Sequence, residues 1–283
     1  MAQHEQHWTE EIRSEHSLFS INFKEVWRYR DLLFMLLKRD FITFYKQTIL
    51  GPLWFIIQPL LTTLIYIVLF VQVAKIDVGG VPSLAFYLSG VTIWNYFSDS
   101  LIKTANVFQG NASVFGKVYF PRLIMPLSVV FSSLMKFVIQ FLLFVGVVVY
   151  YAYVTDEIKP NMWVLMTPIL LLMMACFALG VGMIFSSMTT KYKDLSFLLA
   201  FGVQLYMYAT PVVYPITAMP DKYRWIVSLN PLTSIFECYR FGYLGEGHFE
   251  PQRLLYSAII IIILLLTGTL IFNKVEKSFM DTI

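Results

Sequence analysis

Long apolar runs separated by short polar segments dominate the chain, and this pattern predicts an all-α membrane protein. Six of the runs are long enough to cross the hydrocarbon core as helices, which takes about 20 residues each. The runs are continuously apolar, as in AIIIIILLL at 258–266, whereas the strands of a membrane barrel alternate apolar and polar residues. We therefore predict six transmembrane helices, near residues 54–74, 84–107, 124–153, 163–187, 195–213 and 254–273.

The segment before the first predicted span divides into two parts. Residues 1–21 are polar and mixed in charge, so we expect an arm without stable structure. Asn22 can then cap a helix, with Glu25 as its partner in a capping box. Residues 22–53 are predicted to form an amphipathic helix at the membrane interface and the cytoplasmic approach to the membrane, and residues 54–283 form the six-span domain.

Apolar side chains of the amphipathic segment gather on one face, opposite a face rich in charged residues. A tryptophan and several basic residues in such a segment are typical of a helix that lies in the interface. A soluble helix packed on a partner protein is the alternative. The apolar face is predicted to contain Phe23, Val26, Trp27, Leu33, Phe34 and Leu37.

The region between the fifth and sixth runs, residues 214–253, is too apolar for a solvated loop. Asn230 as N-cap followed by Pro231 at the first helical position is a strong helix start. We predict two re-entrant half-helices that dip into the outer leaflet before the last span. Three glycines are predicted to end the second one: Gly242, Gly245 and Gly247.

Composition and charge narrow the classes of function. The chain is 58% hydrophobic and 14% charged, against about 25% charged residues in soluble domains. The net charge of +3 gives no support for a nucleic-acid partner. With the N-terminus inside, thirteen of the 21 lysines and arginines fall in inner segments and six, Arg240 among them, in outer ones. The positive-inside rule therefore places both termini in the cytoplasm.

The loop GNASVFGKVYFPRLIMP at 110–126 is the candidate contact with a soluble partner. A phosphate-binding P-loop has four residues between its glycines and a serine or threonine after its lysine. Here five residues separate Gly110 from Gly116, and Val118 follows Lys117. The chain is therefore not predicted to be an enzyme, and nucleotide-driven transport would require a separate ATPase subunit.

Prolines and basic residues of this loop indicate its place and its role. Proline interrupts backbone hydrogen bonds that lipid cannot replace, so the loop is expected at the cytosolic surface. Its basic and aromatic side chains suit docking into a cleft of a soluble partner. A passive loop anchored by positive charge fits the same residues. The candidates for docking are Lys117, Tyr119, Phe120, Pro121 and Arg122.

Three charged residues lie inside the predicted spans, where charge is costly and points to function or pairing. Asp99 and Lys103 are four residues apart on one helix face, which favours a structural pair. Lys136 lies deeper, and three alternatives are open for it: pairing with Asp99, snorkelling, or contact with an anionic substrate group. The sequence predicts no metal site.

Aromatic and polar residues recur at helical spacing on two spans. Such faces suit a pathway for sugars, because aromatic rings stack on the apolar faces of pyranoses. Lipid-facing or helix-packing aromatics are the alternative. The first span contributes Phe55, Thr62, Tyr66 and Phe70. The fifth span contributes Phe197, Phe201, Gln204 and Tyr208, with Tyr214 beyond the span.

Four motifs in this order resemble the ABC type-2 permeases that export polysaccharides. They are YKQTILGPLW at 45–54 with Gln58-Pro59, GNA at 110–112 with KVYFPR at 117–122, NPL at 230–232, and the end of the chain from Phe272. The similarity runs from about Asn22 to the C-terminus. O-antigen exporter permeases match best, with teichoic-acid and capsule permeases as near relatives.

The resemblance implies a homodimer of six-span subunits in the bacterial inner membrane, bound to two cytosolic ATPase subunits that bind Mg-ATP. The transported substrate would be an undecaprenyl-pyrophosphate-linked polysaccharide, the O-antigen, which would cross through a channel at the homodimer interface. A teichoic-acid or capsular polysaccharide is the alternative.

The resemblance also implies where the functional segments lie. A coupling helix is expected around Asn111 to Arg122, an interfacial helix at Phe23 to Leu37, and re-entrant helices within Tyr223 to Leu244. Lys136 departs from the family, since relatives are expected to carry an acidic residue there.

A membrane-embedded transferase or polymerase of lipid-linked glycans is the alternative from a different class. Such enzymes usually carry acidic or histidine catalytic groups in sizeable loops. Glu246 and Glu250 near His248 are the candidates, and solvated loop charges explain them at least as well. An ion channel would need a polar filter, and the sequence offers none.

Overall fold

The computed structural model describes residues 27–46, 49–111, 120–245, 247 and 249–279. The predicted polar arm at 1–21, the capping box and the loop residues Lys117 and Tyr119 lie outside this range, as do Glu246 and His248. Ten α-helices span the described residues, which contain no β-strand, so the all-α prediction is confirmed. They are α1 (Arg30–Lys46), α2 (Trp54–Tyr66), α3 (Ser83–Ala105), α4 (Val107–Gly110), α5 (Ile124–Tyr153), α6 (Thr167–Thr189), α7 (Leu195–Tyr208), α8 (Asp221–Leu229), α9 (Pro231–Leu244) and α10 (Pro251–Phe279).

Among the described residues, four helical segments are long and apolar enough to cross a membrane: Gly51–Val73, Ile124–Tyr153, Met162–Thr189 and Pro251–Val275. They coincide with the first, third, fourth and sixth predicted spans. The first includes π-helical turns that extend α2 to Val73. The second predicted span corresponds to α3, whose polar residues lower its hydropathy. The fifth corresponds to α7, which has 14 residues and ends before Pro211.

Helix α3 lies at the centre of the bundle and contacts α2, α5, α6, α7 and α9. Burial on all sides lets it carry serines, threonines, Asn95 and Asp99 without presenting them to lipid. Gly182 of α6 lies close to Thr104 of α3, in a stripe of small residues that also contains Ala178 and Ser186. All three residues are buried, so the two helices pack closely at this point.

The most extensive helix contact joins α6 to α10. Gly180 and Gly268 face each other there, and each is so close to the opposing backbone that no side chain would fit. Phe272 of α10 is fully buried near the end of the same interface. These contacts fix α10 against α6 along the membrane-crossing length.

Helix α1 differs from its prediction in length and in its faces. It continues past Leu37 to Lys46. Leu36 is buried and Leu33 packs against the core, whereas Trp27 and Phe34 are exposed. The helix therefore has one apolar side against α5 and another apolar side that points away from the protein.

Helices α8 and α9 form the predicted pair before the last span. Asn230 caps α9 by accepting a hydrogen bond from the Leu232 backbone N–H at 2.9 Å, as predicted. Gly245 ends α9 in the left-handed conformation, with φ of 75°. Gly242 was expected to end the helix as well, but it lies inside α9 against the backbone of Trp163, where a larger residue would be crowded.

Candidate coupling and translocation sites

The start of the 110–126 loop is tied to α3, α6 and α7 by side-chain hydrogen bonds. Gln109 Nε2 donates to the carbonyl oxygen of Thr189 at 2.6 Å, and Thr189 Oγ1 donates to the carbonyl oxygen of Ala105 at 2.7 Å. Ser196 Oγ, in the first turn of α7, donates to Asn106 Oδ1 at 2.7 Å. A movement of this segment would therefore reach three helices at once.

Two further contacts hold the same segment, and we call the hydrogen-bonded residues 105–111 with their partners the anchor. The ring of Phe108 is buried and stacks on Phe272 of α10, with 4.9 Å between ring centroids. Asn111 closes α4 through its side-chain Nδ2, which donates to the Val107 carbonyl oxygen at 3.0 Å. Of these residues the sequence singled out Asn111 as a site candidate and Phe272 as the start of a family motif, and it gave no signal for the others.

The far side of the loop enters the bundle at Phe120. The side chains of Phe120 and Arg122 are buried, with 4% and 7% exposure, and Pro121 is half-buried. The backbone N–H of Ile124 donates to the Pro121 carbonyl oxygen at 3.0 Å and begins α5. Within this chain, Phe120 and Arg122 therefore hold the end of the loop rather than projecting from it.

Two of the three charges predicted inside the spans form an ion pair between α3 and α5. Lys136 Nζ lies 2.7 Å from Asp99 Oδ2 and 5.9 Å from the centre of the Phe55 ring. One turn further along, Asn95 Nδ2 donates to Gln140 Oε1 at 3.4 Å. Of the three alternatives for Lys136, pairing with Asp99 is the one that the structure shows.

Lys103 is placed differently from its prediction. Its side chain is exposed in the last turn of α3, and the ion pair shown for Asp99 is made by Lys136 of α5. That pair joins two helices, which sequence spacing within one helix cannot reveal.

Polar residues four positions apart on α5 connect this ion pair to α1. Ser132 Oγ donates to Asp40 Oδ2 at 2.9 Å, and Asp40 also pairs with Arg39 at 2.8 Å. We call this set the polar seam; it consists of Asp40, Asn95, Asp99, Ser132, Lys136 and Gln140. The seam joins the N-terminal helix to the central helix through α5.

The aromatic face predicted on the first span packs inside the chain. Tyr66 and Phe70 surround Tyr87 of α3, each with 6.2 Å between ring centroids. The Tyr66 hydroxyl donates to Met207 Sδ of α7 at 3.5 Å, and Phe55 is buried. Within one chain these three aromatics therefore pack between helices, as the alternative interpretation predicted. Thr62 donates to the carbonyl oxygen of Gln58 in its own helix.

The aromatic face predicted on the fifth span is exposed. Phe197 is 81% exposed and Phe201 61% exposed, and Gln204 and Tyr208 are exposed as well. Tyr214 is half-buried, and its hydroxyl donates to the Tyr208 carbonyl oxygen at 3.0 Å. The buried residues that hold α7 on the bundle lie on the opposite side: Leu199, Val203 and Met207.

Arg240 of α9 is a buried cation that the charge count had placed in an outer loop. Its guanidinium donates to the carbonyl oxygens of Pro211 and Val212 at 2.6 and 2.5 Å, and Nε donates to Ser89 Oγ at 3.3 Å. It also lies 3.8 Å from the centre of the Phe86 ring. Arg240 thus satisfies two backbone carbonyls that follow the end of α7, and this contact ties α9 to that segment.

The family model of ABC-2 type transporters matches residues 31–244, from the start of α1 to the end of α9. The chain belongs to the ABC-2 type transporter family. The resemblance drawn from the four sequence motifs is therefore confirmed.

Curated relatives of this ABC-2 transporter cover nearly its full length. It is 31% identical over 252 residues to the O-antigen export system permease protein RfbA of Klebsiella pneumoniae, covering 89% of this chain and 94% of that protein. An RfbA protein of Myxococcus xanthus is 27% identical over 92% of this chain and 98% of its own length. The capsule polysaccharide export inner-membrane protein CtrC of Neisseria meningitidis serogroup A is 23% identical over 86% and 90%.

Proposed function

We propose that this chain is the permease subunit of an ATP-driven exporter of undecaprenyl-pyrophosphate-linked O-antigen polysaccharide in the inner membrane. The observation that carries the proposal is the 31% identity to an O-antigen export permease across 94% of that protein. The capsule-export relative matches at 23% identity, so O-antigen is the better-supported substrate class.

Nucleotide is handled by a partner in this proposal. The sequence lacks a P-loop at 110–117, and two cytosolic ATPase subunits would bind Mg-ATP and pull on the loop between α4 and α5. Asn111 and the anchor around Gln109 would pass this movement to α6, α7 and α10. Phe120 and Arg122 would transmit it to α5 from inside the bundle, while Lys117 would supply the charge that meets the ATPase.

Six spans with both termini in the cytoplasm complete the proposed topology. Helix α3 would cross as a fully surrounded central span, and α7, about 21 Å long at 1.5 Å per residue, would cross with the residues up to Pro211. Helices α8 and α9 would be re-entrant, since Arg240 supplies donors to backbone carbonyls that lipid would leave unsatisfied. Helix α1 would lie in the cytoplasmic interface.

The channel is proposed to form between two copies of the chain. A long polymer needs a continuous passage, because a closed pocket cannot enclose it. The exposed face of α7, with Phe197, Phe201, Gln204 and Tyr208, offers aromatic and polar groups for such a passage. The α2 aromatics would support that face through the Tyr66 contact with Met207.

A deletion strain tests the proposal against the enzyme alternative. Without the permease, finished lipid-linked glycan should accumulate on the cytoplasmic side and disappear from the cell surface. A plasmid copy of the gene should restore surface glycan, and deletion of the partner ATPase should give the same accumulation. Loss of glycan synthesis itself would overturn the exporter proposal and favour a transferase or polymerase.

A further inference from the structure

A cleft of about 510 Å³ lies between α8 and the first turns of α10. It is at the end of the bundle opposite the 110–126 loop, and the sequence motifs and the family match assign nothing to it. Arg224, Trp225, Arg253 and Tyr256 are among its lining residues. The volume falls within the range of about 300–1,000 Å³ that is usual for small-molecule sites.

Arg253 is held in position at the α10 side of the cleft. Its Nε lies 2.8 Å from Glu250 Oε2, and its Nη1 donates to Ser228 Oγ of α8 at 2.8 Å. These contacts fix the guanidinium between the two helices. The side chain remains about one-third exposed, so part of its donor edge faces the opening.

Arg224 supplies a second cation from the α8 side. It pairs at 2.9 Å with Asp221, whose side chain is 90% exposed. Because water screens such a pair, Asp221 neutralises the charge of Arg224 only weakly. Nη2 donates to the Met219 carbonyl oxygen at 3.2 Å. Its Nε is buried and finds no hydrogen-bond acceptor within the described part of the chain. The side chain as a whole is 42% exposed and lines the cleft, so an incoming anion would meet the outer nitrogens of the guanidinium.

Exposed apolar residues continue from the cleft along α10. Leu229 lines the cleft, and Ile259 and Ile263, three and seven residues after Tyr256 on the same side of α10, are more than half exposed on a helix that is a candidate membrane span. Trp225 and Tyr256 lie beside the arginines and are exposed too. Tryptophan and tyrosine next to basic residues are typical of the level where hydrocarbon meets headgroups.

We propose that this cleft binds the phosphate headgroup of a bilayer phospholipid, with the acyl chains lying along Ile259 and Ile263. The two arginines provide planar donor edges that match phosphate oxygens. A soluble sugar or peptide could stack on Trp225 but would leave the apolar strip uncovered, whereas a phospholipid covers both surfaces. The inference does not depend on which substance the permease transports.

Native mass spectrometry of the detergent-solubilised full chain tests the site with dioleoylphosphatidylglycerol as the probe. The double variant Arg224→Gln with Arg253→Gln should bind this lipid about tenfold more weakly, the loss expected for one or two charge-assisted hydrogen bonds. Lys222→Gln removes a charge on α8 outside the cleft lining and should change the affinity less than about twofold. The site would be overturned if both variants lost lipid affinity equally, or if neither variant lost any.

Further arms identify the ligand and control for folding. The double variant with lysines in place of the two arginines keeps the charges, and its affinity should fall between those of the wild type and the glutamine variant if the fold is intact. Dioleoylglycerol, which lacks the phosphate, should not compete. Competition by inorganic phosphate as strong as by the phospholipid would overturn the lipid assignment, as would arginine-dependent binding of undecaprenyl phosphate with none of phosphatidylglycerol.

Discussion

Helices α3 and α7 are two predicted spans whose burial is the reverse of what their sequences would give in water. Helix α3 carries Asn95, Asp99 and many hydroxyl groups, yet most of its side chains are buried. Helix α7 is rich in phenylalanine and leucine, yet three of its 14 residues are buried in the chain. The polar helix is surrounded by protein, and the apolar helix lies at the edge.

This reversal follows from the solvent. In a bilayer, apolar side chains lose nothing by facing outward, whereas polar side chains must find partners inside the protein. Helix α3 meets that requirement through the polar seam and through packing against five helices. The exposed face of α7 is then available for lipid, for a second copy of the chain or for a substrate. Mutations in α3 should therefore change the stability of the protein, whereas mutations on the exposed face of α7 should change its interactions.

The largest difference in stability between variants of the two helices is expected at one glycine in each, Gly90 and Gly202. An added Cβ at Gly90 of α3 would lie 2.6 Å from the Val212 carbonyl oxygen and 2.8 Å from Arg240 Nη2. Gly90→Ala should therefore destabilise the protein by about 1–3 kcal/mol, the usual cost of overpacking. At Gly202 of α7 an added Cβ meets no described atom within 4 Å. Gly202→Ala should stabilise the helix by up to about 1 kcal/mol.

Thermal unfolding of the two purified variants in the same detergent measures this contrast. Equal stability of the two would show that α3 is not fixed as described. A loss confined to Gly202→Ala in the assembled exporter would show instead that a second copy packs closely on α7.

The next largest loss of stability is expected when the ion pair of the polar seam is broken. Asp99→Asn or Lys136→Gln breaks a half-buried ion pair and should cost about 2 kcal/mol, less than for a fully buried pair because both side chains are partly exposed. The double variant should recover part of that loss, since it leaves no unpaired charge. Asp31→Asn, in an exposed pair on α1, should cost less than about 0.5 kcal/mol. Strict additivity of the Asp99 and Lys136 variants would contradict coupling between them.

Stability should hardly change at the exposed face of α7, where function should change instead. Phe201 and Leu198 are each 61% exposed on this helix, and Phe201 belongs to the aromatic face. Either residue changed to alanine should alter the stability of the isolated chain by less than about 0.5 kcal/mol. Export measured as surface glycan should fall severalfold for Phe201→Ala and stay near wild type for Leu198→Ala. Equal export by both variants would remove the aromatic face from the pathway.

The smallest effect on stability is expected beyond the end of α3, in the loop. Lys117→Glu should leave the fold unchanged and reduce the amount of ATPase that co-purifies with the permease, because its charge is proposed to meet that partner. Arg122→Glu is the contrasting variant, since Arg122 is buried and its reversal should lower the yield of folded protein. Full ATPase recovery with Lys117→Glu would contradict the docking role of that residue.

Sequence patterns located the helices well where apolar runs end at clear breaks. Helix α5 occupies the predicted residues 124–153, because Pro121 and Arg122 precede a long apolar run and Thr155 and Asp156 follow it. The cap at Asn230 was recognised because the residue pair Asn-Pro has a local mechanism. Helix α7 ends earlier than predicted, since the residues before Pro211 leave the helix.

The sequence could not reveal contacts made over long separations. Lys136 pairs with a residue 37 positions away, and its neighbours in sequence carry no sign of this. Arg240 was counted with outer-loop charges because a charge count treats every arginine outside a span as solvated. Of the predicted site residues, Tyr66 and Phe70 turned out to pack inside the chain, whereas Phe197 and Phe201 are exposed, although both faces show the same spacing.

Reconstitution into liposomes tests the central claim most directly. The permease and its partner ATPase are inserted together with lipid-linked glycan, and the accessibility of the glycan to an external glycosidase is followed after ATP addition. The account predicts ATP-dependent translocation that needs both subunits and is lost when either is omitted. ATP hydrolysis by the purified permease without a partner, or translocation without the ATPase, would contradict it.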